Sequence, residues 1–433
     1  MHVQRACRRA AAFLALVLAS GSPLDAQEPT PPIPSAAGER LWQIMSMQSP
    51  ELLAARRGVE AARARLNAAG FGAPAVLGLE TEDPDGIDIT QSGIRVEVSR
   101  EFLGSRRRTA ERGLAAAAVR LAEIRLASTE RALRGRLGAE LARLAGWSAA
   151  ARRLAGEDSL FIATEEALRT RFSVGEARYT DVLRLRTERL RTQSERAAAL
   201  ANVGVARTSI ETLTGGGGAE VRVVIDEALR QAPAGAVPAP PSLDSLIARS
   251  PVLALVEAEV QRVQAEQALV RAERGGRIEA GIGAQVMSEA DRRTIGPIVS
   301  AQVSLPFTAR RSNTAQDQAA VSVVRAAEAR RDATIAGLVG RLRTALTRYD
   351  AARARYDGYD SALLRGARDE REAALSAYQA GELSLVELLD FERALARAEL
   401  DRILAQIEAA ESLNELYAAG AVTSNDSTNE TLP

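Results

Sequence analysis

The sequence has 433 residues, of which 46% are hydrophobic and only 3% are aromatic, while arginines and acidic residues balance at 56 each. This balance gives nucleic-acid binding no electrostatic support. The sequence contains no lysine, and its only histidine and only cysteine are His2 and Cys7. Later residues therefore offer no imidazole base, thiol nucleophile or phosphate-loop lysine. The composition is typical of long packed helices, and we expect no catalytic residue, bound metal or cofactor.

The first 26 residues match a secretory signal peptide. Three arginines, Arg5, Arg8 and Arg9, precede an apolar run from Ala10 to Ala19, and Ala26 supplies a small residue for cleavage. The apolar run is shorter than the ~20 residues of a membrane helix, and no later segment reaches that length. We therefore expect an exported chain without a transmembrane helix.

Three sequence segments occur twice in the same order, which indicates an internal duplication. The offsets between the two copies are nearly constant, at 201, 205 and 206 residues. The paired segments are "SPELL" and "SPVLA" from Ser49 and Ser250, "VSREF" and "VSLPF" from Val98 and Val303, and "GE" from Gly175 and Gly381. Each half of the chain is therefore expected to have the same architecture.

The duplication divides the chain into five parts. The stretch between the repeats is rich in glycine and proline, which marks a linker, and one short strand is predicted in it at Val221–Ile225. Its glycine run lacks the Lys-Ser/Thr pair that a phosphate-binding loop needs. The predicted parts are a signal peptide at 1–26, a first repeat at 39–213, a linker or equatorial segment at 214–243, a second repeat at 244–417 and a disordered tail at 418–433.

Each repeat is predicted to contain a helix, two strands, a long helix, a glycine turn and a returning helix. The long helices are Arg106–Phe172 and Arg311–Ala377, each ~100 Å long at 1.5 Å per residue. The second carries a heptad seam at Leu338, Leu342, Ala345, Tyr349, Ala352, Tyr356, Tyr359 and Leu363. Two shorter helices match the length of one long helix, namely Glu39–Ala69 with Glu176–Leu213, and Asp244–Arg274 with Glu382–Tyr417. Both strand pairs should therefore gather at one end and both glycine turns at the other.

Four strands are predicted, at 75–83, 93–102, 277–287 and 297–307, with loops at Asp83–Ser92 and Ser288–Ile295. Apolar and polar residues alternate along them, and each has about the length of a tilted membrane strand. A barrel with lipid outside and water inside fits this alternation, and a half-buried soluble sheet fits it equally well.

Four strands are too few to close a membrane barrel, since the smallest known barrels use about eight. Three copies supply 12 strands and leave no unpaired edge in the lipid. We therefore predict an α+β membrane protein, internally duplicated, whose long coiled-coil helical barrel continues a trimeric 12-stranded β-barrel. Phe71, Phe102 and Phe307 lie where helix meets strand, and either an aromatic belt at the membrane interface or ordinary junction packing explains them.

The duplicated motifs resemble those of TolC-type outer-membrane efflux channels across nearly the whole chain after residue 26. The resemblance rests on the junctions "VEVSREFLGSRRRTAERGLAAAAV" and "AQVSLPFTARRSNTAQDQAAV" and on the tips "RFSVGEARYTDVL" and "YQAGELSLVELLDFERALARAEL". It implies a homotrimer in the outer membrane with a periplasmic helical extension, a passive duct without catalytic activity. It also implies two protein partners, a periplasmic adaptor (membrane fusion protein) and an inner-membrane pump of the resistance-nodulation-division type rather than the ABC type. The first junction is most similar to the heavy-metal branch, so metal ions or small toxic compounds are the expected substrates.

The same resemblance implies that the two tips, at 171–183 and 377–389, contact the adaptor. The residues carried over are Phe172, Val174, Gly175, Glu176, Tyr378, Ala380, Gly381 and Glu382. Any helical hairpin needs a turn residue, which is the simpler explanation of the glycines. The acidic residues at matched positions, Asp181 and Glu387, favour docking because a turn alone does not require them.

Two other functions fit parts of the sequence. A structural or adhesive coiled-coil protein of the cell envelope, without transport activity, would use the strands as a soluble sheet. A carboxylate-dependent hydrolase could use Glu80, Glu82 and Asp83, but acids in so charged a sequence are usually solvated or pore-facing.

Overall fold

The computed structural model describes residues 35–72, 74–82, 93–175, 177–231, 238–274, 277–289, 292–304, 310–359 and 361–418. All of them belong to the compact unit Pro31–Pro433. The predicted signal peptide and, apart from Ala418, the predicted tail lie outside the described residues. Within the described residues, no helix combines the length and the apolar character needed to cross a bilayer.

The elements follow the predicted order twice. The first half contains α1 (Ala36–Gln48), α2 (Pro50–Ala68), β1 (Val76–Glu82), β2 (Gly93–Phe102), α3 (Ser105–Ser173), α4 (Tyr179–Leu213) and α5 (Ala219–Gln231). The second half contains α6 (Leu243–Ala248), α7 (Pro251–Ala272), β3 (Arg277–Glu289), β4 (Arg292–Ser304), α8 (Arg310–Gly358), α9 (Ser361–Ala380) and α10 (Leu385–Ala418).

The first helix of each repeat is split at a Ser-Pro pair, where the sequence predicted one continuous helix. Pro50 and Pro251 begin the second segment of each pair. Proline suits the first turn of a helix, where its missing N–H is not needed, but it breaks a helix interior. Ser250 Oγ also accepts a hydrogen bond from Val252 N at 3.2 Å, which caps the new helix.

The four strands form one antiparallel sheet in the order β1-β2-β3-β4. The pairs Leu79 with Val96 and Val96 with Ala284 place apolar residues of neighbouring strands on one face. The β3–β4 hairpin is tighter than predicted, because the two strands occupy most of the loop expected at Ser288–Ile295 and β4 ends at Ser304. The loop expected at Asp83–Ser92 lies outside the described residues.

The linker contains a helix where a strand was predicted. In α5 the buried residues are Val221, Val224, Ile225 and Ala228. Their spacing of three, one and three residues places them on one face of a helix. This face packs against α1 and α3 in the largest apolar cluster of the first repeat. The strand prediction at Val221–Ile225 is therefore wrong.

The long helix α3 runs past two shorter helices, as the helix lengths predicted. Near the sheet it pairs with α2, where Arg63 lies 2.6 Å from Glu123. Further along it pairs with α4, where Arg189 lies 3.2 Å from Asp158. The second repeat follows the same plan, except that its long helix is interrupted between α8 and α9.

The predicted heptad seam of α8 is confirmed as far as the interruption. Its buried members are Leu338, Leu342, Ala345, Tyr349 and Ala352, each at most 4% exposed. Beyond the break Leu364 is 3% exposed and the predicted Leu363 is 49% exposed. The interruption therefore shifts the seam by one residue.

Candidate docking site at the helical tips

The tips of the two repeats lie side by side. One apolar cluster unites residues from α3, α4 and α10, namely Phe161, Leu168, Val182, Leu185, Leu385 and Leu389. Tyr378 packs on its edge, and the Arg171 guanidinium lies 5.8 Å from the Tyr378 ring centroid. The structure therefore brings the two predicted tip segments into one surface.

Gly175 and Gly381 form the two turns, with φ of +81° and +80°. In each turn the glycine N–H donates to a carbonyl three residues earlier, Phe172 O at 3.0 Å and Tyr378 O at 3.1 Å. An added Cβ would meet nothing within 4 Å at either position. Backbone conformation, rather than lack of space, therefore favours glycine here.

The first tip presents apolar side chains to solvent. Phe172 is 45% exposed and Val174 is 67% exposed. The ring of Tyr179, at the start of α4, lies 5.6 Å from that of Phe172. Glu176 lies outside the described residues. This tip thus offers a small apolar patch to a partner.

The second tip is more polar. Ala380 and Glu382 are exposed, and burial raises the pKa of the half-buried Tyr378. Ser384 and Glu387 form a capping box, in which the Ser384 backbone N–H donates to Glu387 Oε2 at 2.9 Å and the Ser384 hydroxyl donates to it at 2.6 Å. These hydrogen bonds lower the pKa of Glu387.

The capping box gives Glu387 a structural role that the sequence argument missed. The "SLVE" pattern was the available signal for it. The first repeat lacks this cap, because Arg178 occupies the position equivalent to Ser384 and makes no side-chain capping bond. Helix capping accounts for Glu387, so its match with Asp181 is not evidence for docking.

The predicted interface aromatics lie at the helical end of the sheet. Phe71 is 65% exposed and Phe102 is 54% exposed. The Arg100 guanidinium donates to Phe71 O at 3.3 Å, which holds the two aromatic residues near the same end. Phe307 lies outside the described residues.

The two faces of the sheet differ sharply in polarity. The apolar face exposes Leu77, Leu79, Ile282, Ile295 and Val299, each at least 69% accessible. The opposite face carries hydrogen-bonded polar pairs, including Ser99 with Glu279 at 2.7 Å and Ser300 with Glu97. Monomeric soluble proteins rarely expose so large a contiguous apolar patch.

Buried charges join the two repeats and were not predicted. Arg153 of α3 pairs with Glu399, and Arg393 of α10 pairs with Glu188. Glu157 lies beside them, buried, with Arg153 at 3.6 Å. Burial raises its pKa to about 7 against the opposing effect of Arg153. Sequence alone gave no signal that pairs residues more than 200 positions apart.

The description of one protein family fits part of the chain. Residues 242–421 match the family "Outer membrane efflux protein". No curated protein matches the sequence.

Several solved structures share the fold. A membrane protein from Pseudomonas aeruginosa has 17% identity and a TM-score of 0.72, with 93% of this chain and 99% of that chain covered. The outer-membrane protein VceC from Vibrio cholerae has 16% identity and a TM-score of 0.71, with 89% and 96% covered. The Campylobacter jejuni CmeC outer membrane channel has 12% identity and a TM-score of 0.70, with 94% and 92% covered.

The second repeat therefore belongs to the outer membrane efflux protein family, and the whole chain has the TolC-type fold. This membership assigns the chain to the outer membrane, with a periplasmic helical extension, and to passive channels rather than enzymes. Within the described residues, no group of three or more His, Cys, Asp or Glu side chains could hold a metal ion.

Proposed function

We propose that three copies of the chain form a passive duct from the periplasm to the exterior. The copies close a 12-stranded barrel, with the apolar sheet face against lipid and the polar face lining the lumen. The helices continue the duct into the periplasm.

The observation that carries this proposal is the two-faced sheet with two free edges. β1 and β4 each pair with one neighbour only in the described chain. Their outer backbone groups would be unpaired in lipid, which costs several kcal/mol for each group. Pairing β1 of one copy with β4 of the next satisfies both edges and also hides no polar side chain in lipid.

The tips are the proposed docking site for a periplasmic adaptor, which connects the duct to an inner-membrane pump of the resistance-nodulation-division type. The exposed Phe172, Val174, Ala380 and Glu382 beside two glycine turns support this role. Phe71 and Phe102 are proposed to lie at the membrane interface. The substrates are metal ions or small toxic compounds that the pump delivers.

Deletion and reconstitution test the proposal. A strain lacking the gene should become more sensitive to metal salts or small toxic compounds, and the intact gene should restore resistance. Purified protein should conduct ions across a planar lipid bilayer. Unchanged sensitivity to both compound classes, together with no conductance, would contradict an export duct.

A further inference from the structure

Near the tips four helices lie in a row, and two of them form its edges. α3 packs on α4 on one side and on α10 on the other, and α9 packs on α10. The order across the row is therefore α4, α3, α10, α9. α4 and α9 each have one well-packed side here, so each leaves an outward face available.

The outward face of α4 carries a second heptad pattern. Its buried face contains Val182, Leu185, Thr192 and Ala199, which point towards α3. Steps of four and three residues on the opposite side give the exposed set Leu183, Thr187, Leu190, Ser194, Ala197 and Ala201. Leu183 is 44% exposed and Leu190 is 60% exposed. Exposed leucines at heptad spacing are typical of a helix that packs against another helix.

The outward face of α9 has the same spacing but small side chains. Leu364 and Ala374 are buried on the side that packs on α10. The opposite side carries Ala362, Gly366, Asp369, Ala373, Ser376 and Ala380 in steps of four and three residues. Small residues leave room between them for larger side chains of a facing helix.

Charges beside the two outward faces have opposite signs. On α4 the exposed Arg184 and Arg186 flank the leucines, and on α9 the exposed Glu370 and Glu372 flank the small residues. Among the described residues, none of these four side chains has an ion-pair partner within 4.0 Å. Such flanking charges choose the partner and orientation of a coiled coil.

We propose that α4 of one protomer packs against α9 of a second copy of this chain, with leucines of α4 between small residues of α9 and the arginines facing the glutamates. The proposal rests on the trimer proposed above and identifies its contact surface near the tips. The two helices are antiparallel, since α4 leads away from its turn and α9 leads towards its own. Leu183 and Ser376 each lie four residues from the tip end of their helix, so they face each other.

Cysteine cross-linking tests this contact in the full-length protein. The Leu183→Cys/Ser376→Cys variant, with Cys7 replaced by Ser, should form covalent dimers and trimers under mild oxidation. Each single variant should form no covalent trimers. The Leu183→Cys/Ala362→Cys pair is a matched control, because Ala362 lies on the same face of α9 but ~21 Å further from the tip at 1.5 Å per residue.

A charge exchange supplies the second readout. Arg184→Glu/Arg186→Glu in the cross-linking background should lower the yield of covalent trimers several-fold, and adding Glu370→Arg/Glu372→Arg should restore it. A trimeric particle in which the Leu183→Cys/Ser376→Cys variant does not cross-link overturns the proposed contact and leaves the duct intact. A monomeric particle overturns both the contact and the duct.

Discussion

Glu157 is a buried carboxyl group at the contact between the repeats. Its main neighbours from α4 and α10 are other acids, Glu188, Glu195 and Glu392, and its cation Arg153 is shared with Glu399. Burial favours the neutral form, and the neighbouring acids add to this effect. The folded protein therefore holds this proton to a higher pH than the unfolded chain does.

The sign of the resulting pH dependence follows from that difference. The pKa is 4.5 in the reference state and about 7 in the fold, so this contribution to stability is complete below about pH 4.5. It is lost as the pH rises to about 7 and stays constant above. Glu157→Gln mimics the neutral form and should make thermal unfolding, followed by circular dichroism, less dependent on pH between 5 and 7. An unchanged pH profile in this variant would show that Glu157 does not titrate in that range.

Ser384 provides a test of the asymmetry between the tips. Ser384→Ala removes the capping box of α10 and should cost about 1 kcal/mol of local helix stability. Arg178→Ala at the equivalent position of the first repeat is the matched control, because Arg178 makes no capping bond. Amide hydrogen exchange at the start of α10 and of α4 measures both effects. Equal changes in the two variants would mean that the cap contributes little.

At the level of elements, the β2–β3 pair joins the two repeats into one sheet. A Cβ added to Gly283 would lie 2.3 Å from Val96 O, whereas one added to Gly296 of β4 would meet nothing within 4 Å. Gly283→Val should therefore disturb the pairing, at a cost of at least the ~1–3 kcal/mol typical of overpacking.

The measurement is the amount of heat-modifiable, assembled protein recovered from outer membranes. Gly283→Val should reduce it strongly, while Gly296→Ala should assemble like the parent chain. Normal assembly of Gly283→Val would show that the β2–β3 joint tolerates a side chain at this position.

The sequence predicted the elements that are long and periodic. α3, at Ser105–Ser173, differs by one residue at each end from the prediction, because a 67-residue helical pattern leaves little ambiguity. The error at α5 arose because Val221–Ile225 resembles a strand, although apolar residues at helical spacing continue to Ala228. The turns at Gly175 and Gly381 were predicted correctly from their repeat, whereas the buried ion pairs depend on tertiary contacts that one sequence does not reveal.

At the level of the whole molecule, the tips test how the duct connects to its partners. Replacing Gly175 and Gly381 by tryptophan forces a side chain onto a backbone with φ near +80° and enlarges both turns. We expect export to be lost while trimers still reach the outer membrane. The readouts are the sensitivity of the complemented deletion strain and the yield of trimer. Normal export by this variant would remove the docking role.

The central claim is that the free strand edges and the outward helix faces are satisfied only between copies. Electron cryomicroscopy of the detergent-extracted protein tests this claim most directly. The account predicts particles with threefold symmetry, 12 strands in a closed barrel and one continuous lumen. A homogeneous population of monomers, or particles without a central lumen, would contradict it.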